Sequence, residues 1–183
     1  RGSMFGREIR DSRSDKEMLD EAVQAARQAD VIVAAIGETS EFSGECASRT
    51  DLTIFDAQKD LLTALKATGK PVVLVNFSGR PTVMNWENAN FPAILNVWFG
   101  GSEAGDAICD VLFGDKVPSG RLTVSMPKSV GQIPLYYNHL NTGRPQPDGK
   151  PFVKFRSNYI DIDNNPLYPF GYGLSYTTFK YGP

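Results

Sequence analysis

The carboxyl group best placed for chemistry in this 183-residue chain is Glu45, in the polar segment SGECASRTDL at 43–52. It stands between small residues, four positions before Arg49 and three after Phe42. A carboxyl group on such a loop acts as a general acid or base when burial or a neighbouring charge tunes its affinity for the proton. Phe42 offers an aromatic face on which a sugar ring stacks. The plainer reading of Glu45 and Arg49 is an exposed ion pair, a kind of contact that contributes little.

The elements around this loop explain its position. VIVAAI at 31–36 is a continuous β-branched run, as in a parallel strand buried on both faces. A helix follows the loop, with Leu61, Leu62, Ala64 and Leu65 on its core face and Gly69 closing it. The loop therefore lies at a strand's C-terminal end, where open α/β sheets place ligands. Upstream, Ser14-Asp15-Lys16-Glu17 forms a capping box that opens a helix reaching Gln28. Downstream, 71–77 and 93–99 read as strands, with a short helical stretch containing Trp86 between them. A helix with Ala104, Ala107, Ile108, Val111 and Leu112 on one face then leads to a fourth strand, LTVSM at 122–126. This alternation predicts an α/β fold: a mostly parallel sheet flanked by helices in a three-layer sandwich. From Lys128 the chain becomes a long irregular Pro/Gly/Tyr-rich segment.

Other candidates carry less. Gly100-Gly101-Ser102 reads as tight strand–helix packing; it is neither G-x-G-x-x-G nor a P-loop, which argues against a nucleotide-binding domain. Asp161, Asp163 and Asn165 imitate the start of an EF-hand loop, but Pro166 replaces its glycine and Tyr172 its bidentate glutamate. Arg144 and Arg156 either clamp a polar substrate or order their own loop. Trp98, ending a strand, is expected in the core, and Cys109 on the apolar face of its helix. Cys46, Cys109 and His139 make no metal motif, so no metal or other cofactor is expected.

The formal charge of −2 gives no reason to expect nucleic acid or a membrane surface as partner, and no apolar run approaches membrane-spanning length. Arg1-Gly2-Ser3-Met4 reads as a vector remnant.

Several segments together resemble the C-terminal α/β sandwich domain of glycoside hydrolase family 3, the β-glucosidase group. They are VIVAAIGE, GECASRTDLTI, TGKPVVLVNFSGRP, AILNVWFGGSEAGDAICDVLFGD, PSGRLTVSMPKSVGQIPLYYNHLNTGRP and LYPFGYGLSYTTF, in the family's order. The SVGQIPLYYNHLNTGRP run is most similar to the bacterial periplasmic branch. The resemblance implies a retaining hydrolase of β-linked glucosides, periplasmic or secreted, whose nucleophilic Asp lies on an N-terminal (β/α)₈ barrel. Matched through Gly44-Glu45 and Ser48-Arg49, Glu45 is its general acid/base, Arg49 positions the loop, and Phe42 and Arg49 stand on the substrate side.

On this reading residues 1–13 are a vector remnant and N-terminal arm, and 14–171 a sandwich domain incomplete on its N-terminal side. Residues 172–183 lead into a further domain of fibronectin type III kind. A β-glucoside or oligosaccharide substrate is shared with the barrel, the chain alone is inactive, and an uncovered sheet edge favours self-association. The alternative is a non-catalytic sugar- or partner-binding α/β module.

Overall fold

Ser14 caps the first helix, its hydroxyl accepting from the Glu17 N–H while the Glu17 carboxylate accepts from the Ser14 N–H. This reciprocal box fixes the start of α1 (Asp15–Gln28) where the sequence predicts it. The computed structural model describes residues 11–147, 150, 152–180 and 182; residues 1–4, read from sequence as a vector remnant, lie outside them. β1 (Ile32–Gly37), α2 (Asp56–Lys66), β2 (Val72–Phe77), α3 (Asn85–Asn90), β3 (Ala93–Asn96) and α4 (Ala104–Phe113) follow. The strands form an open parallel sheet in the order β1-β2-β3, flanked by helices. Residues up to Ala104 form one compact unit and those from Gly105 another.

In the first unit the core gathers on the central strand. Val72, Leu74 and Val75 of β2 are buried, with Leu62 and Leu65 of α2, Ile32, Ala34 and Ile36 of β1, and Leu52, Ile54 and Met84 from the connections. Each such large aliphatic side chain contributes about 1.5–3 kcal/mol by leaving water. Gly69 takes the left-handed conformation, φ +76°, two residues beyond the Ala67 cap of α2.

Four expectations are corrected. β1 is buried on one face only: Val33 is 51% exposed and Ala35 is also exposed, because these alternate residues point to the face of the sheet away from the core. β3 stops at Asn96, and Trp98 is half-buried with φ +53°, a left-handed turn that ends the pleat. The segment 122–126 is not a fourth strand of the sheet. It pairs instead with the PFGYG region: Leu122 N–H donates to Tyr172 O (2.9 Å), Gly171 N–H to Leu122 O (2.7 Å), and Met126 bridges Tyr168 antiparallel. Cys109 is exposed. At about 100° per residue it falls well off the stripe of Ile108, Val111 and Leu112, which are half-buried.

In the second unit side-chain bonds add to the backbone pairing of 122–126 with 167–172. Gln132 is buried and donates to the carbonyls of Asp163 (3.0 Å) and Asn165 (3.2 Å), while Tyr176 donates to Val111 O at the end of α4 (2.8 Å).

Glu87 on α3 is 3% exposed. Burial raises its pKa above the ordinary 4.5, against its own N–H and the Lys59 charge. A raised folded pKa gives stability that is complete below the unfolded value and is lost as pH climbs through the folded one. Glu87→Gln, which imitates the protonated form, is therefore expected to leave the melting temperature unchanged near pH 4. At pH 8 it should raise it by roughly 2–4 °C, the shift of about 1 kcal/mol in a chain of this size. Thermal melts of both proteins at the two pH values check this; an equal shift at both would assign the effect to packing.

Candidate active site

β1 and β2 run parallel in register, Gly37 opposite Phe77, so the residues just past their C-terminal ends are neighbours. Glu38 follows β1, and Ser78 and Arg80 follow β2. Gly37 is required at this crossing. Its φ is +126°, and a Cβ there would meet Phe77 O at 1.8 Å. The Gln58 side chain on α2 holds the same residue, donating to Gly37 O (2.8 Å) and accepting from Gly37 N–H (3.0 Å).

The Glu38 side chain is 2% exposed and fully engaged. Arg49 Nη1 donates to Oε1 (2.7 Å); Arg80 Nε (3.1 Å) and Ser78 Oγ (3.2 Å) donate to Oε2. Burial alone would raise the pKa of this carboxyl. The Arg49 hydrogen bond, the charge and hydrogen bond of Arg80 and the Ser78 hydroxyl outweigh it and hold Glu38 below its ordinary 4.5. Arg49 continues to Thr53 O (3.2 Å) and lies over the Phe55 ring at 4.5 Å, and Phe55 in turn meets Phe42 at 4.7 Å between centroids. Arg80 Nη2 donates to Ala47 O (2.7 Å) and to Phe42 O.

The loop thus arches from Phe42 to Ala47 over one guanidinium, with Glu45 on its outer side. The two residues beside Glu45 both turn left-handed, Gly44 at φ +116° and Cys46 at φ +58°. Glu45 is exposed, and among the described residues none bonds to its carboxylate. The plainer reading, an exposed Glu45–Arg49 ion pair, does not hold: Arg49 turns inward to Glu38, because a buried carboxylate needs a cation more than an exposed one does. Phe42 is 41% exposed beside the same arch, so the structure brings all three sequence candidates into one loop.

Glu38 and Arg80 are the members that sequence reasoning passed over. The signal was available: each follows a predicted buried strand, and adjacent parallel strands bring such residues together.

The remaining candidates lie in the second unit. Asp163 accepts from Lys128 Nζ (2.6 Å) and from the Asn165 N–H (2.8 Å), and the Lys128 hydrogen bond lowers its pKa. Arg144 and Arg156 are tied through their backbones, Arg144 O accepting from the Ser157 N–H (2.8 Å) and Arg156 N–H donating to Val153 O (3.3 Å). A groove of about 1150 Å³ is lined there by Tyr136, Tyr137, His139 and Phe170 among others. Tyr137 and Phe170 stack at 4.3 Å within it. Among the described residues no helix is long and apolar enough to cross a membrane.

An open parallel α/β domain that carries an anchored carboxyl-bearing loop at its strand ends is the class this geometry defines. The chain belongs to the glycosyl hydrolase family 3 C-terminal domain family, whose model it matches over residues 4–176. It is 60% identical to a periplasmic beta-glucosidase of Salmonella typhimurium over 92% of this chain and 22% of that protein. It is 44% identical to a beta-xylosidase of Formosa agariphila over 91% of this chain and 22% of that protein. The solved beta-glucosidase of Listeria innocua superposes with a TM-score of 0.87 at 42% identity, covering 92% of this chain and 23% of that one. The chain spans about a fifth of the length of the curated relatives it matches.

Proposed function

We propose that this chain is the C-terminal domain, residues 14–171, of a retaining β-glucosidase of the periplasm or another extracytoplasmic space, and that Glu45 is its general acid/base. The observation that carries the reading is the combination at Glu45: a carboxylate without a protein partner among the described residues, on a loop fastened to the C-terminal ends of two adjacent parallel strands. Retention requires a second carboxylate about 5–5.5 Å away. On this reading it is an Asp of an N-terminal (β/α)₈ barrel, which closes the site over the β-glucoside.

The two steps then balance. The nucleophilic carboxylate bonds to the anomeric carbon as the bond to the leaving oxygen breaks, and Glu45 gives its proton to that oxygen. Glu45, now a carboxylate, takes a proton from water as the water attacks the glycosyl-enzyme and the nucleophile is released. Phe42 supplies an apolar face beside the leaving group, and Arg49 holds the loop from below.

A chimera tests this: the matching segment of the Salmonella typhimurium relative is replaced by this chain. The chimera is expected to hydrolyse an aryl β-glucoside at enzyme-like rates, and the isolated chain to show none, since half of a double-displacement site forms no glycosyl-enzyme. A folded chimera without activity, or an active isolated chain, would overturn the reading.

A further inference from the structure

We infer that Arg80, acting through Glu38, is a positioning residue for the general acid/base, fixing the arch that presents Glu45; this rests on the reading of Glu45 above. Arg80 touches both the scaffold and the two feet of the arch. Its Nε holds Glu38 at the end of β1, and its Nη2 holds the carbonyls of Phe42 and Ala47, three residues before and two after Glu45.

The arch has no ladder of its own. Its hydrogen-bonded structure is one turn at Ser40–Phe42 and one bond from the Ala47 N–H to Gly44 O (3.3 Å). Arg49 ties the loop to the other carboxylate oxygen of Glu38, so one buried anion orients two cations that grip the loop on both sides of Glu45. The strand ends press close as well: a Cβ at Gly79 would meet Ser43 Oγ at 1.8 Å, so the turn after β2 packs directly against the arch.

A purely structural role accounts for this network poorly. Buried ion networks add little net stability compared with apolar residues of the same volume. Apolar side chains would join the strand ends equally well, but they offer no donors to the carbonyls of Phe42 and Ala47. What the network supplies beyond cohesion is a defined backbone path at Glu45. Lysine keeps the charge of Arg80, yet its single ammonium lacks the planar fork that reaches a carboxylate and two carbonyls together.

The test uses the full-length enzyme, with Arg80→Lys and Glu38→Gln compared against Glu45→Ala on two substrates. One is a glucoside with a poor leaving group, whose departure needs the proton; the other is a dinitrophenyl glucoside, which needs none. Misplacement of a catalytic group by about 1 Å costs on the order of 10²-fold. Arg80→Lys is therefore expected to lower kcat/KM on the poor leaving group by about that factor and on the dinitrophenyl glucoside less than about threefold. Glu38→Gln should follow in the same direction, with KM little changed in both variants. Equal loss on the two substrates in Arg80→Lys, with Glu45→Ala still discriminating between them, would overturn the positioning role alone. Absence of discrimination in Glu45→Ala itself would overturn the acid/base reading beneath it. Failure of both clamp variants to fold, judged by near-ultraviolet circular dichroism, would assign the network to the fold and overturn the inference as well.

Discussion

Glu45→Ala in the full-length enzyme is expected to lower kcat/KM on glucosides with poor leaving groups by about 10²–10⁴-fold, the range a positioned proton donor supplies. Dinitrophenyl glucosides, whose leaving oxygen departs as an anion, should still form the glycosyl-enzyme at nearly the original rate. On the proposed acid/base role the second step needs Glu45 as a base, so with these substrates the intermediate accumulates and both kcat and KM fall. Azide is a nucleophile that needs no base. Added azide is therefore expected to restore turnover and to yield the β-glucosyl azide with retained configuration. Steady-state kinetics on the two substrate types, with product analysis in azide, check the whole pattern. Uniform loss on every substrate, without rescue, would make Glu45 a structural residue.

Gly37→Ala is expected to be the most damaging single change in the first unit. The position combines φ +126° with a Cβ site 1.8 Å from Phe77 O, a backbone atom that moves only if β1 and β2 part. Backbone strain and overpacking together amount to roughly 3–5 kcal/mol. For a chain of this length that is a fall in melting temperature on the order of 10 °C. Gly44→Ala is the control: its φ is +116°, but nothing lies within 4 Å of the added Cβ. It should cost roughly 1–2 kcal/mol, from strain alone. Equal losses in thermal melts of the two variants would show that the crossing yields and that the Phe77 contact does not matter.

Legibility from sequence followed physical range. Local signals were read well: the Ser14–Glu17 box, the apolar runs of β1 and β2, and the left-handed Gly69 all act within a few residues of themselves. Errors arose where a partner elsewhere in the chain decided the outcome. LTVSM has strand composition, but its hydrogen bonds run to 167–172, and composition carries no information about which neighbour is taken. The β1 run is apolar on both faces, yet Val33 lies on the face turned away from the core, and composition does not tell which face is covered. At the site, the candidates Glu45, Arg49 and Phe42 share one polar loop, so their common placement is local and legible, whereas the role proposed for Glu45 rests on the family resemblance. Glu38 and Arg80 lie 42 residues apart, and only the parallel register of β1 and β2 reveals them as partners. The plainer reading pairs Arg49 with the nearer carboxylate in sequence, whereas burial decides for Glu38.

The division of labour in the clamp bears on how such a domain can be changed. Glu38, Ser78 and Arg80 belong to the strand ends, while the loop contributes Arg49 and two backbone carbonyls, groups that any residue can supply. The socket and the plug are thus separable in sequence. Around Glu45 the path between the two carbonyls is set by the Arg80 clamp and by the positive φ of Gly44 (+116°) and Cys46 (+58°), so substitutions that keep that path leave the strand ends untouched. For redesign, this makes the span between Phe42 and Ala47 an interchangeable cassette: new side chains around Glu45 could be grafted without rebuilding the sheet that carries it.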